Sequence, residues 1–130
     1  MQHLIVYIVD DDRAVLDSTA FLLETLGYRC ELFPDGEQFL AQAGELAPGC
    51  LITDLRMPQL TGFELIAELR DRSIDWPAFL MTSDNGPEMD ARAKAHGFDF
   101  YLRKPVEIGA LVAALDAGFA ALEGTRSKSS

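Results

Sequence analysis

Leu4-Ile-Val-Tyr-Ile-Val-Asp-Asp-Asp12 passes without a break from six apolar residues to three carboxylates. A continuous, β-branched run of this length predicts a strand covered on both faces. After Asp12 the period changes. Leu16, Ala20, Leu23 and Leu26 recur at helical spacing, and Gly27 ends the helix. The same strand-then-helix unit repeats along the chain. Tyr28 to Phe33 reads as a more polar strand near a sheet edge, and Asp35-Gly-Glu-Gln38 has the spacing of a capping box opening a second helix. Cys50-Leu-Ile-Thr-Asp54 is a third strand. Thr61-Gly-Phe-Glu64 is a second capping box, with Leu65, Ile66 and Leu69 on one helix face. Ala78 to Thr82, a helix over Glu88 to Ala95 stopped at Gly97, and a strand at about Phe100 to Leu102 follow. Ile108, Leu111, Val112, Leu115, Phe119 and Leu122 mark the last helix. Strict alternation implies parallel strands with right-handed helical crossovers, hence an α/β fold with an open, doubly wound, five-stranded sheet.

Bulk properties agree. The 130 residues suit one domain, and 48% hydrophobic with 25% charged residues is an ordinary globular composition. The expected domain covers 1–123, with 124–130 a disordered polar tail or linker stub. No apolar run approaches the ~20 residues of a membrane span. Residues Met1 to Asp12 lack the basic lead of a secretion signal. Cys30 and Cys50 have neither CxxC spacing nor nearby histidines, so buried free thiols in a reducing, cytoplasmic setting are expected. A net charge of −10 argues against direct nucleic-acid binding by this domain. His3 and His96 are read as incidental, and Trp76 as packing at a loop.

In doubly wound sheets, ligands bind beyond the carboxyl ends of the strands, where strand order reverses. Those ends carry Asp10-Asp11-Asp12, Asp54, Thr82-Ser83 and Lys104-Pro105. Close carboxylates repel by roughly 4 kcal/mol per pair at an effective dielectric of 20. Such a cluster raises its pKa values or binds a cation. Oxygen donors without Cys or His suit Mg²⁺, whose open positions accept phosphoryl oxygens. Lys104 can add a mobile positive charge, and the Thr82 hydroxyl can donate to a phosphoryl oxygen. Singly, each residue has an ordinary reading: a turn or helix cap for the aspartates, a strand-end hydroxyl for Thr82, a solvated loop lysine for Lys104. Their convergence on one rim is the informative fact.

Val9-Asp-Asp-Asp12, Thr53-Asp-Leu-Arg-Met-Pro58 with Gly62, Met81-Thr82, and Gly97 followed by Tyr101-Leu-Arg-Lys104-Pro105 resemble the receiver domain of bacterial two-component response regulators. The likeness spans about residues 4 to 122, and Asp-Leu-Arg-Met-Pro looks nearest the FixJ-like group. The resemblance implies a flavodoxin-like (βα)5 sheet of order 2-1-3-4-5. It implies Asp54 as phosphoacceptor from a phosphohistidine on a sensor kinase. It also implies Mg²⁺ on Asp11, Asp54 and the Arg56 carbonyl, with Asp10 acting through water. Thr82 and Lys104 become phosphate contacts, and Tyr101 the aromatic whose rotamer follows Thr82. A cis Lys104-Pro105 bond is expected, and a dimer formed on phosphorylation is a further implication. The domain would turn over only its own phosphoryl group, without acting as an enzyme on external substrates. Arg56 and Asp84 should flank the site mouth with the small Ser83, and a pairing across it would shield the acyl phosphate. Asn85-Gly-Pro87 departs from the usual FixJ-like loop.

Three other readings compete. A haloacid-dehalogenase-type phosphohydrolase would use Asp10 as nucleophile but leaves Asp54 unexplained. A flavodoxin-type flavin module needs a Ser/Thr/Gly loop where three aspartates stand. A phosphate-independent pseudo-receiver would not need the full residue set.

Overall fold

A computed structural model of the chain describes residues 5–84 and 86–129, with side chains described through 123. Ile5–Val9 (β1) lies between Arg29–Phe33 (β2) and Cys50–Thr53 (β3). Ala78–Thr82 (β4) and Phe100–Arg103 (β5) continue the sheet. All pairings are parallel and the order is β2-β1-β3-β4-β5, the expected flavodoxin-like arrangement. The crossovers are Arg13–Thr25 (α1), Gly36–Ala43 (α2), Gly62–Asp71 (α3) and Met89–Ala95 (α4), and Ile108–Ser129 (α5) closes the chain. The backbone of α5 thus runs through 124–129, the stretch read as a disordered tail.

The pleat of β1 explains its unbroken apolar run. Val6 and Ile8 pack with Leu16 and Leu23 of α1 and Leu111, Leu115 and Phe119 of α5. Ile5, Tyr7 and Val9 point the other way, onto Phe39 of α2 and Leu65 and Leu69 of α3. Every β1 residue is buried, and each large apolar side chain so placed contributes about 1.5–3 kcal/mol. β2, with one strand neighbour, is the more exposed edge the sequence suggested. Trp76 stacks on Tyr7 at 5.2 Å between ring centroids, at the amino ends of the strands. Both cysteines are free; Cys50 is buried, but Cys30 on the edge strand is only half-buried.

Local signals are met with three exceptions, one being Ile108, placed on the apolar stripe of α5 but 40% exposed. Asp12 caps α1 by accepting from Ala14 and Val15 N–H, and Thr61 with Glu64 forms the full capping box of α3. At α2 only half the box forms: Asp35 accepts from Gln38 N–H, while the Gln38 amide donates to the Asp35 carboxylate. Leu26, assigned to the core stripe, is instead 48% exposed, because α1 has already ended before Gly27 turns the chain at φ 99°.

Gly62 sets how closely α3 approaches the strand ends. A Cβ there would lie 2.5 Å from the Asp54 carbonyl oxygen and 3.1 Å from the Leu55 Cα. Both neighbours are backbone, so no rotamer change relieves the clash. Gly62→Ala is therefore expected to lower stability by about 1–3 kcal/mol in urea unfolding. An unchanged midpoint would show that the close approach is absent in solution.

Candidate functional site

The sheet reverses its winding between β1 and β3, which pair as far as Val9 and Thr53. The next residues on each strand are Asp10 and Asp54, with Asp54 N–H donating to the Val9 carbonyl at 3.1 Å. Topology alone thus sets two carboxylates side by side at the switch point. Asp10 is 1% exposed, and both its oxygens are engaged. Oδ1 accepts from Asp12 N–H at 2.9 Å, and Oδ2 accepts from Lys104 Nζ at 2.9 Å. Asp11 is exposed at the rim. Asp54 accepts from Leu55 N–H at 2.7 Å, and its other oxygen lies 3.3 Å from Lys104 Nζ.

Oxygens of Asp10, Asp11 and Asp54 all lie within 4.8 Å of one another. One ammonium cannot neutralise this cluster. Burial raises the Asp54 pKa and the charge of Asp10 adds to it, against the opposing pull of Lys104 and the Leu55 N–H. Burial alone would lower the Lys104 pKa; the hydrogen bond to Asp10 and the charge of Asp54 outweigh it, so the net shift is upward. An ion pair by itself would have lowered Asp54, so desolvation and like charge are winning there. The remaining negative charge and the all-oxygen donor set fit a hard divalent cation such as Mg²⁺.

The other residues singled out in the sequence converge on the same rim. Thr82 ends β4, is 2% exposed, and accepts from Asp84 N–H at 3.3 Å. Lys104 follows β5; its N–H donates to the Thr82 carbonyl at 2.9 Å, and its peptide bond to Pro105 is cis. Arg56 Nε donates to Asp84 Oδ2 at 2.7 Å, across the mouth of the site. Tyr101 on β5 donates its hydroxyl to the Asp84 carbonyl at 2.6 Å. Ser83 is exposed and lines an open groove with Val15, Phe21, Leu22, Lys104 and Val106. The sequence reading missed this groove. Its signal was Phe21-Leu22, off the core stripe of α1, with Phe21 now 74% exposed. Asn85 and His3 lie outside the described residues, and His96 stacks on Phe63 at 3.9 Å, away from the carboxylates.

A doubly wound sheet with a carboxylate cluster at its switch point and a lysine facing it defines a receiver-type α/β domain. Residues 6–116 match the family described as response regulator receiver domain, and the chain belongs to that family. It is 34% identical over 112 residues to the transcriptional regulatory protein FixJ of Bradyrhizobium diazoefficiens, covering 86% of this chain and 55% of FixJ. Over 103 residues it is 35% identical to the response regulator protein TmoT of Ectopseudomonas mendocina, covering 78% of this chain and 47% of TmoT. A crystal structure of FixJ-N superposes with a TM-score of 0.83 at 35% identity, covering 89% of this chain and 93% of that one. Full-length FixJ from B. japonicum gives 0.88 at 31% identity, covering 98% of this chain and 63% of that one. The chain spans about half the length of the curated relatives it matches. Its acidic cluster fits a phosphoryl-accepting site, and a receiver domain of a two-component system implies a sensor kinase as partner. Among the described residues no helix is long and apolar enough to cross a membrane.

Proposed function

We propose that this domain accepts a phosphoryl group on Asp54 from a phosphohistidine of a sensor kinase and relays that event to an output. The observation carrying this reading is the Asp54 carboxylate at the switch point, pinned by the Leu55 N–H, faced by Lys104 and crowded by Asp10 and Asp11. A carboxylate oxygen of Asp54 attacks phosphorus; an O–P bond forms as the P–N bond breaks, leaving the imidazole on the donor. Mg²⁺, held by Asp11, Asp54 and the Arg56 carbonyl with Asp10 acting through water, would neutralise charge on the phosphoryl oxygens. Lys104 turns from Asp54 to one of those oxygens, and the Thr82 hydroxyl donates to another. Tyr101 then fills the space Thr82 leaves, altering the face made by α4, β5 and α5, through which two phosphorylated copies pair. The chemistry is confined to the domain's own phosphoryl group, its setting is cytoplasmic, and its downstream partner is a separate protein or a fused domain. Intact mass after incubation with acetyl phosphate and Mg²⁺, for wild type and Asp54→Asn, tests the reading.

The Arg56–Asp84 bridge supports a second part of the proposal, that the pair screens the acyl phosphate from water. Arg56→Ala and Asp84→Ala are each expected to shorten the phosphate lifetime several-fold, followed by loss of label. Lifetimes equal to wild type in both would remove the shielding role. A hydrolase using Asp10 is disfavoured because that carboxylate is buried with both oxygens already bonded.

A further inference from the structure

Asp84 has three polar handles, held by residues on or just after three different strands. Its Oδ2 accepts from Arg56 Nε at 2.7 Å and lies 2.7 Å from Arg56 Nη2, in the loop after β3. Its N–H donates to Thr82 Oγ1 at 3.3 Å, at the end of β4. Its carbonyl accepts from the Tyr101 hydroxyl at 2.6 Å, on β5. The Tyr101 ring in turn packs against the apolar cluster containing Met89 and Ala93 of α4. A continuous set of contacts therefore runs from the mouth of the carboxylate site to α4, and Asp84 is its junction.

We propose that Arg56 is a positioning residue for Tyr101, acting through Asp84. The bridge fixes the orientation of the Asp84 peptide whose carbonyl holds the tyrosine hydroxyl. The rotamer of Tyr101 and the closure of the site mouth are then a single equilibrium. The inference rests on the reading above that Tyr101 transmits the signal, and it adds a second input to that residue besides Thr82. The Arg56 side chain is 76% exposed. Exposed ion pairs add little to global stability, which makes this one suited to biasing a loop that must also be released. Sharing of one residue by both contacts predicts energetic coupling between side chains that no direct bond joins.

A double-mutant cycle on the unphosphorylated protein tests this, with Arg56→Ala, Asp84→Asn and Tyr101→Phe compared by urea unfolding. Arg56 and Asp84 lie at the surface of a loop region, so their variants keep the core intact. In the wild-type background Tyr101→Phe should lower the folding equilibrium constant about fivefold, as expected for one hydrogen bond. In the Arg56→Ala or Asp84→Asn background the same change should cost less than about twofold. Arg56→Lys, which keeps the charge, should retain most of the coupling. A fluorotyrosine label adds a local readout, because the chain has only three tyrosines. The Tyr101 resonance, identified by its loss in Tyr101→Phe, should move alike in Arg56→Ala and Asp84→Asn while those of Tyr7 and Tyr28 stay. Equal costs of Tyr101→Phe in every background, no cost in wild type, or an unmoved resonance would each overturn the proposal. No phosphodonor is present in these measurements, so their failure leaves the assignment of Asp54 standing, and an unlabelled Asp54 leaves the coupling standing.

Discussion

Asp54→Asn protein treated with acetyl phosphate and Mg²⁺ is expected to keep its unmodified mass, while wild type gains one phosphoryl group. The side-chain amide of the variant would retain the oxygen that accepts from Leu55 N–H, so the strand end should hold its shape. What the substitution removes is the proposed nucleophile. Asp10 cannot take over, being buried behind Lys104, and Asp12 is occupied as the cap of α1. Labelling of the variant to the wild-type extent would end the assignment. The same variant carries a stability prediction. The Asp54 pKa is raised in the folded protein above its ordinary value of 3.8. A raised folded value means that stability contributed by this group is full below the unfolded pKa and is lost as pH rises through the folded one. At neutral pH the wild-type carboxylate is therefore a burden. Without divalent metal, Asp54→Asn should be the more stable protein at pH 7, with the gap closing as pH falls through the raised folded value and closed once pH is below the ordinary 3.8. A wild type more stable than the variant at pH 7 in EDTA would contradict that sign.

Lys104→Met should have the largest effect on the metal-free fold. Lys104 is the cation on Asp10, a carboxylate with 1% of its side chain exposed, at 2.9 Å, and it also faces Asp54 at 3.3 Å. Removing one partner of a buried pair typically costs about 3–5 kcal/mol because a desolvated charge is left alone. The ammonium retains 18% exposure, so partial hydration of the pair lowers the expectation to about 2–4 kcal/mol. Urea unfolding in EDTA measures this. Titration with Mg²⁺ then supplies the mechanistic control. A cation binding the cluster should restore more stability to Lys104→Met than it adds to wild type, because it replaces the missing positive charge and binds only the folded state. Equal stability of the two proteins in EDTA would mean that Asp10 does not depend on the lysine. Equal gains from Mg²⁺ would mean that lysine and metal do not share the carboxylates.

Much of this was legible before any coordinates. The β1 run had to be sandwiched because Tyr7 and Ile8 are both large and apolar on opposite faces, and that one fact selects a parallel sheet with two helical layers. Parallel alternation then carries Asp10, Asp54, Thr82 and Lys104 to a common rim whatever their rotamers. The Arg56–Asp84 pairing followed from position, since each stands two residues beyond a strand-end site residue. Less could be read where side-chain torsions decide. Nothing local says that the Tyr101 hydroxyl reaches the Asp84 carbonyl, that the Gln38 amide turns to the Asp35 carboxylate instead of closing the box, or that Phe21 stays in solvent. These depend on competition between contacts of similar strength, and hydrophobic periodicity carries no information about that contest.

The placement of Trp76 has a practical corollary. It is the only indole in the chain, and it sits against Tyr7 just before β4 begins, whereas Thr82 closes the same strand. At the rise of an extended chain the two are separated by roughly 20 Å. Its fluorescence should therefore register global unfolding while staying nearly silent to cation or phosphodonor, so a single optical channel can score variant stability with ligand present or absent.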